Sequence, residues 1–211
     1  MKHVLAIGTL AAVAILSAPG ARGAQPARDL GEGLSYYRVH ELPADLPTNP
    51  GAKPGPCVLD LRFAKSDDAA AATLRAWVMF NATPRTPVFA IENAGTASAL
   101  RAAIAPGAAQ GLVVLAPASA KLAPDIEVRV SPETDRKAYE ALEKGSSLES
   151  LLTDYPDKPR IDEAYLEKEH IPDSQAPDVP VGKPQTPLPL VDLLLQRAVQ
   201  LHRGLAALKR L

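Results

Sequence analysis

Only one cysteine, Cys57, occurs in the 211 residues, so no intramolecular disulfide can form in any compartment. Its place at the head of an apolar run marks it as a buried small hydrophobe rather than a reactive thiol. Aromatic residues are scarce, at 4%, which argues against a sugar-binding or base-stacking surface. An excess of either charge is missing too: 23 lysines and arginines face 24 aspartates and glutamates. A chain so balanced lacks the basic face that nucleic acid demands. The four histidines, among them His40, His170 and His202, are scattered without metal-ligand spacing, so the sequence supports no metal and no cofactor. No apolar run reaches the ~20 residues of a comfortable membrane span.

What is present begins with a leader pattern. Lys2 and His3 form a short basic start, Val4 to Leu16 is almost wholly apolar, and Ser17-Ala18-Pro19-Gly20 breaks the run. Small residues around Ala21-Arg22-Gly23 supply a cleavage signal, so residues 1–23 read as a secretory signal peptide of bacterial style. The mature chain is expected to be exported, to the periplasm or beyond the cell, and to carry no lipid anchor, since no cysteine lies near the cut.

Residues 25–33 are polar and glycine-bearing and read as a loose leader. Leu34 to Val39 alternates as a strand does. Leu42 to Pro56 holds five prolines and reads as a loop. Cys57 to Phe63 is a nearly continuous apolar run of strand length, the pattern of a parallel strand buried on both faces. A helix follows, capped by Ser66, Asp67 or Asp68, with Ala71, Leu74, Trp77 and Val78 at helical spacing and Trp77 as a core anchor. Pro87 to Ile91 is a second buried strand, a short helix follows Ser98, and Gly111 to Leu115 is a third strand. Ile126 to Val130 alternates as a half-exposed edge strand. Ser131-Pro132-Glu133 then opens a helix that passes Tyr139 and Leu142 and ends near Lys144-Gly145.

Strands alternating with helices predict an α/β layered domain with a mostly parallel sheet over residues 34–152. Residues 153–189 are rich in proline and charge and read as a linker or arm. Residues 190–211 predict an amphipathic helix whose stripe is Val191, Leu194, Leu195, Ala198, Leu201, Leu205 and Leu208. Such a helix needs a surface, either its own domain or a second copy, which makes a homodimer through Leu190–Leu211 one expectation.

Four blocks, in order, carry a family resemblance: Tyr36 to Val39; Val58-Leu59-Asp60-Leu61-Arg62; Val88 to Ile104 with Thr96-Ala97-Ser98-Ala99; and Pro124-Asp125-Ile126-Glu127-Val128. Together they resemble the catalytic core of the C-terminal processing (tail-specific) serine peptidases, which share the Clp protease/crotonase fold. The third block resembles that family's nucleophile segment, usually written Ser/Thr-Ala-Ser-Ala-Ser-Glu. The resemblance implies that fold for residues 34–145 and puts Ser98 at the nucleophile position, at the head of a helix after a tight turn. It also implies a lysine base some two dozen residues later, where Lys121 stands.

The surroundings depart from the family pattern. Lys121 lacks the flanking glycines, Asp125 replaces a glutamine, and Arg101 replaces the glutamate after the nucleophile motif. Phe63-Ala64-Lys65-Ser66-Asp67 replaces the glycine loop that supplies oxyanion donors, and the substrate-contacting strands are missing. For Ser98 the plain alternative is a helix-capping serine, and for Lys121 a solvated loop lysine. Asp60 and Arg62 fall on one side of a strand and read as a structural ion pair.

Three functions are compatible with these residues. The first is an exported, catalytically inactive relative of the tail-specific peptidases that binds or assembles with a protein or peptide. The second is a minimal serine–lysine peptidase using Ser98 and Lys121. The third is a periplasmic interaction module whose basic C-terminal helix lies on a membrane surface.

Overall fold

The computed structural model describes residues 27–47, 55–153 and 189–211. The leader at 1–23 and all but the ends of the 153–189 arm, with His170, lie outside the described residues. The chain is an α/β protein with a six-stranded sheet in sequential order, β1 (Arg28–Asp29), β2 (Ser35–Arg38), β3 (Cys57–Asp60), β4 (Val88–Ile91), β5 (Leu112–Pro117) and β6 (Ile126–Val128). β1 runs antiparallel to β2 and every later pairing is parallel. Residues 25–33 are thus not wholly a leader: Arg28 and Asp29 pair with Tyr36 and Ser35, and Leu30 is buried. Two residues are too few to show a period in the sequence.

Strand alternation divides the apolar side chains between two cores. Cys57, Leu59, Val88, Ala90 and Val114 face one side, where α1 (Asp68–Asn81) and α2 (Ser98–Ala103) lie. Val58, Phe89, Ile91 and Leu115 face the other, which is covered by Leu142 of α3 (Pro132–Glu143), by α4 (Leu148–Leu151) and by α5 (Leu193–Ala207). Burial on both faces is why β3 to β5 read as unbroken apolar runs. Cys57 is fully buried, and burial pushes its thiol up to about 12.

Local signals set the helix ends. Asp67 caps α1 by accepting from Ala70 N–H, and Ser131 caps α3 by accepting from Thr134 N–H, with Pro132 in the first turn. Trp77 is only half-buried; its indole N–H donates to the Pro47 carbonyl (3.0 Å) and ties the preceding loop to α1.

The C-terminal helix packs on its own sheet, against β4, β5 and β6. Leu194, Leu195, Ala198 and Val199 enter the second core, so in this arrangement those side chains are spent within the chain. The buried face differs from the predicted stripe toward its end. His202 is 1% exposed while Leu208 is 71% exposed. His202 Nε2–H donates to the Glu32 carbonyl (3.0 Å) and its ring stands edge-on to Phe89, so α5 also holds the turn between β1 and β2. Among the described residues no helix is long and apolar enough to cross a membrane.

Candidate functional site

The chemistry-bearing residues gather at the carboxyl ends of β3, β4 and β5. The floor of this region is ionic. Arg62, just past β3, is fully buried, and its five N–H donors make five bonds. Nε and Nη2 reach Asp60 at 2.9 and 2.7 Å, Nη1 and Nη2 reach Asp192 at 3.2 and 2.7 Å, and Nη1 reaches Asp135 at 2.9 Å. Tyr36 O–H donates to Asp60 at 2.7 Å. Burial alone raises the Asp60 carboxyl, but the Arg62 charge and hydrogen bonds, with the Tyr36 bond, hold it below its ordinary value. Burial likewise opposes the Arg62 charge, and Asp192 and Asp60 more than restore it. The sequence indicated the Asp60–Arg62 pair; Tyr36, Asp135 and Asp192 join it only through the fold.

Asn93 sits above this floor, just beyond β4. Its Nδ2 donates to Asp135 (2.9 Å), while its Oδ1 accepts from the N–H groups of Gly95 (2.9 Å) and Phe63 (3.4 Å). Thr96 Oγ1 accepts from Asn93 N–H and donates to the Leu61 carbonyl, both at 3.0 Å. Thr96 N–H goes to the Asn93 carbonyl and Ala97 N–H to the Ala64 carbonyl, again at 3.0 Å. The Asn-Ala-Gly-Thr stretch is a turn signal with this mechanism, the side chain closing on backbone two residues on. Phe63 holds a left-handed conformation, φ 59°. Its ring lies on Gly95, where an added Cβ would collide with Cδ1 and come within 2.9 Å of Cε1.

Ser98 is the first residue of α2 and is exposed. It does not cap the helix: the cap is Ala97, with no side-chain hydrogen bond, so the capping role read from the sequence is corrected by one position. Lys121 is also exposed and closes a 3-10 turn (Ala118–Ala120) in the left-handed conformation, φ 52°. No hydrogen bond joins Ser98 to Lys121, and among the described residues neither side chain is hydrogen-bonded or ion-paired. Nor does any group of His, Cys, Asp and Glu there suit a metal ion.

Between the turns lies an open cleft of about 350 Å³. Phe63 and Asn93 to Gly95 form one side; Pro117 at the end of β5, with Ser119 and Ala120 just after it, forms another; Pro132, Asp135 and Arg136 of α3 close it. Neither Ser98 nor Lys121 lines it.

Glu92 precedes Asn93 and is 5% exposed, with no hydrogen-bond partner for Oε2 among the described residues. Burial pushes its carboxyl from 4.5 up to about 7, against the pull of Arg101. The folded state therefore holds a proton there that the unfolded chain gives up. The contribution of Glu92 to stability is full below about pH 4.5 and is lost as pH rises through about 7. Glu92→Gln is expected to stabilise the protein at pH 8 by about 1–3 kcal/mol, discounted for screening, with no difference at pH 4. Urea titrations at the two pH values measure this, and an equal effect at both would contradict it.

No family model, curated protein or solved structure matches the chain.

Proposed function

We propose that this chain is an exported, catalytically silent relative of the C-terminal processing serine peptidases, with their Clp protease/crotonase fold. In this reading it serves as a binding or assembly module for a protein or peptide. Export rests on the leader pattern at residues 1–23, and kinship on the order of the four sequence blocks. The four blocks fall on β2, β3, β4 and β6.

The observation that carries the silent reading is the state of the turn before Ser98. A serine nucleophile needs a base within reach and free N–H groups aimed at the developing oxyanion. Here the N–H groups of Phe63, Gly95, Thr96 and Ala97 are all spent inside the protein. Phe63 occupies the ground where the family carries glycines, and losing one oxyanion donor alone costs about 10²- to 10³-fold in rate. A lysine acts as base only when desolvated or beside positive charge, and Lys121 is exposed, with no side-chain hydrogen bond or ion pair among the described residues.

The expected result is that a fluorophosphonate probe labels the purified protein no more than its Ser98→Ala variant, and that neither cleaves casein. Labelling and cleavage that both vanish in Ser98→Ala would replace this reading with the minimal serine–lysine peptidase.

A further inference from the structure

We propose that the cleft at the carboxyl ends of β3 to β5 binds a small organic carboxylate with an apolar body. Arg136 would hold the carboxylate, with the body against Phe63, Pro117 and Pro132. This goes beyond the reading above and does not rest on it.

The size suits the class, because about 350 Å³ lies at the lower end of small-molecule sites, which run from about 300 to 1,000 Å³. The walls offer a phenyl ring, two prolines and small residues, a surface for apolar matter. The polar groups in the wall are mostly committed. Both oxygens of Asp135 are engaged, one by Arg62 and one by Asn93, and its charge faces a guanidinium. Asn93 spends Oδ1 on two backbone N–H groups and Nδ2 on Asp135. Ser119 Oγ reaches only a long bond, 3.4 Å, to the Val130 carbonyl and remains able to accept.

Arg136 stands apart. The other basic side chains of α3 and its C-cap pair along the helix, Lys137 with Glu133 at 2.7 Å and Lys144 with Glu140 at 3.4 Å. Glu143 meets Arg38 at 3.6 Å. Arg136 makes no ion pair among the described residues, and its guanidinium lies 5.3 Å from the centre of the Phe63 ring. A planar cation beside an aromatic wall matches a carboxylate attached to an apolar group. One such cation, beside a wall carboxylate (Asp135) already bonded to Arg62 and Asn93, favours a monoanion over a phosphate, which calls for more positive charge.

The test is a 1H–15N NMR titration of the protein with 4-phenylbutyrate, its neutral analogue 4-phenylbutyramide, and an acetylated tripeptide ending in a free or amidated phenylalanine. Shifts confined to Phe63, Ala94, Gly95, Ser119 and Arg136, with a Kd of about 1 mM, are expected for phenylbutyrate. The amide should bind at least about tenfold more weakly, and Arg136→Gln should weaken phenylbutyrate by a similar factor with the spectrum otherwise unchanged. Tighter binding of the free-ended tripeptide than of its amidated form would support the site and name a polypeptide end as the carboxylate's source. The proposal is overturned by an absence of shifts at about 20 mM, by equal binding of acid and amide, or by indifference to Arg136→Gln.

Discussion

Arg62→Met is expected to cost at least about 4 kcal/mol, because removing one partner of a buried ionic group leaves the others uncompensated. Here three carboxylates, Asp60, Asp135 and Asp192, converge on the one guanidinium, and all are at most 4% exposed. Against a total stability of about 5–15 kcal/mol for a domain, that loss is severe. Arg62→Lys should recover only part of it, since an ammonium offers three donors where five bonds are made. Urea unfolding followed by circular dichroism measures both variants. A loss below about 1 kcal/mol in Arg62→Met would mean that the carboxylates are not held as charged groups around Arg62.

Asp192→Ala should loosen the C-terminal helix at a cost of about 3 kcal/mol. The side chain does two things at once. It caps α5, accepting from Leu195 N–H at 3.1 Å, and it meets Arg62 through both oxygens, at 3.2 and 2.7 Å. Asp192→Asn should be far milder, about 1 kcal/mol, because asparagine is an equally good cap and the cluster sheds one of its three negative charges. The same asymmetry makes the loss of the cation worse than the loss of an anion. Hydrogen exchange gives the local reading: amides of Leu195 to His202 should lose protection in Asp192→Ala while those of β3 and β4 keep theirs. Uniform loss across the sheet, or equal costs for the two variants, would contradict this account.

How far the fold was legible depended on where its determinants lay along the chain. β3 to β5 announced themselves as unbroken apolar runs, and Asp67 and Ser131 as caps, because those signals act within a few residues. Asp60 and Arg62 were readable as a pair because residues two apart share a face of a strand. Their partners Asp135 and Asp192 lie 73 and 130 residues from Arg62, and no local period reports such a meeting. The turn before Ser98 was visible, but not that Asn93 and Ala64 would take up its N–H groups or that Phe63 would cover Gly95. Those depend on the loop after β3 folding across the loop after β4. The cleft and Arg136 were hidden for the same reason, and an exposed arginine on a helix looks like any other until its neighbours are seen to pair without it.

The reach from Arg62 to Asp192 also sets the order in which the core can be finished. A ribosome delivers Asp192 130 residues after Arg62. Until it does, Phe89, Ile91 and Leu115 lack the helix that covers them, and Arg62 has no carboxylate for two of its bonds. Contacts of such long range form slowly, and an apolar sheet face left open meanwhile invites association with other chains. The last helix is therefore the lid of the assembly line as much as a layer of the product: this protein cannot complete its centre from the front end inward.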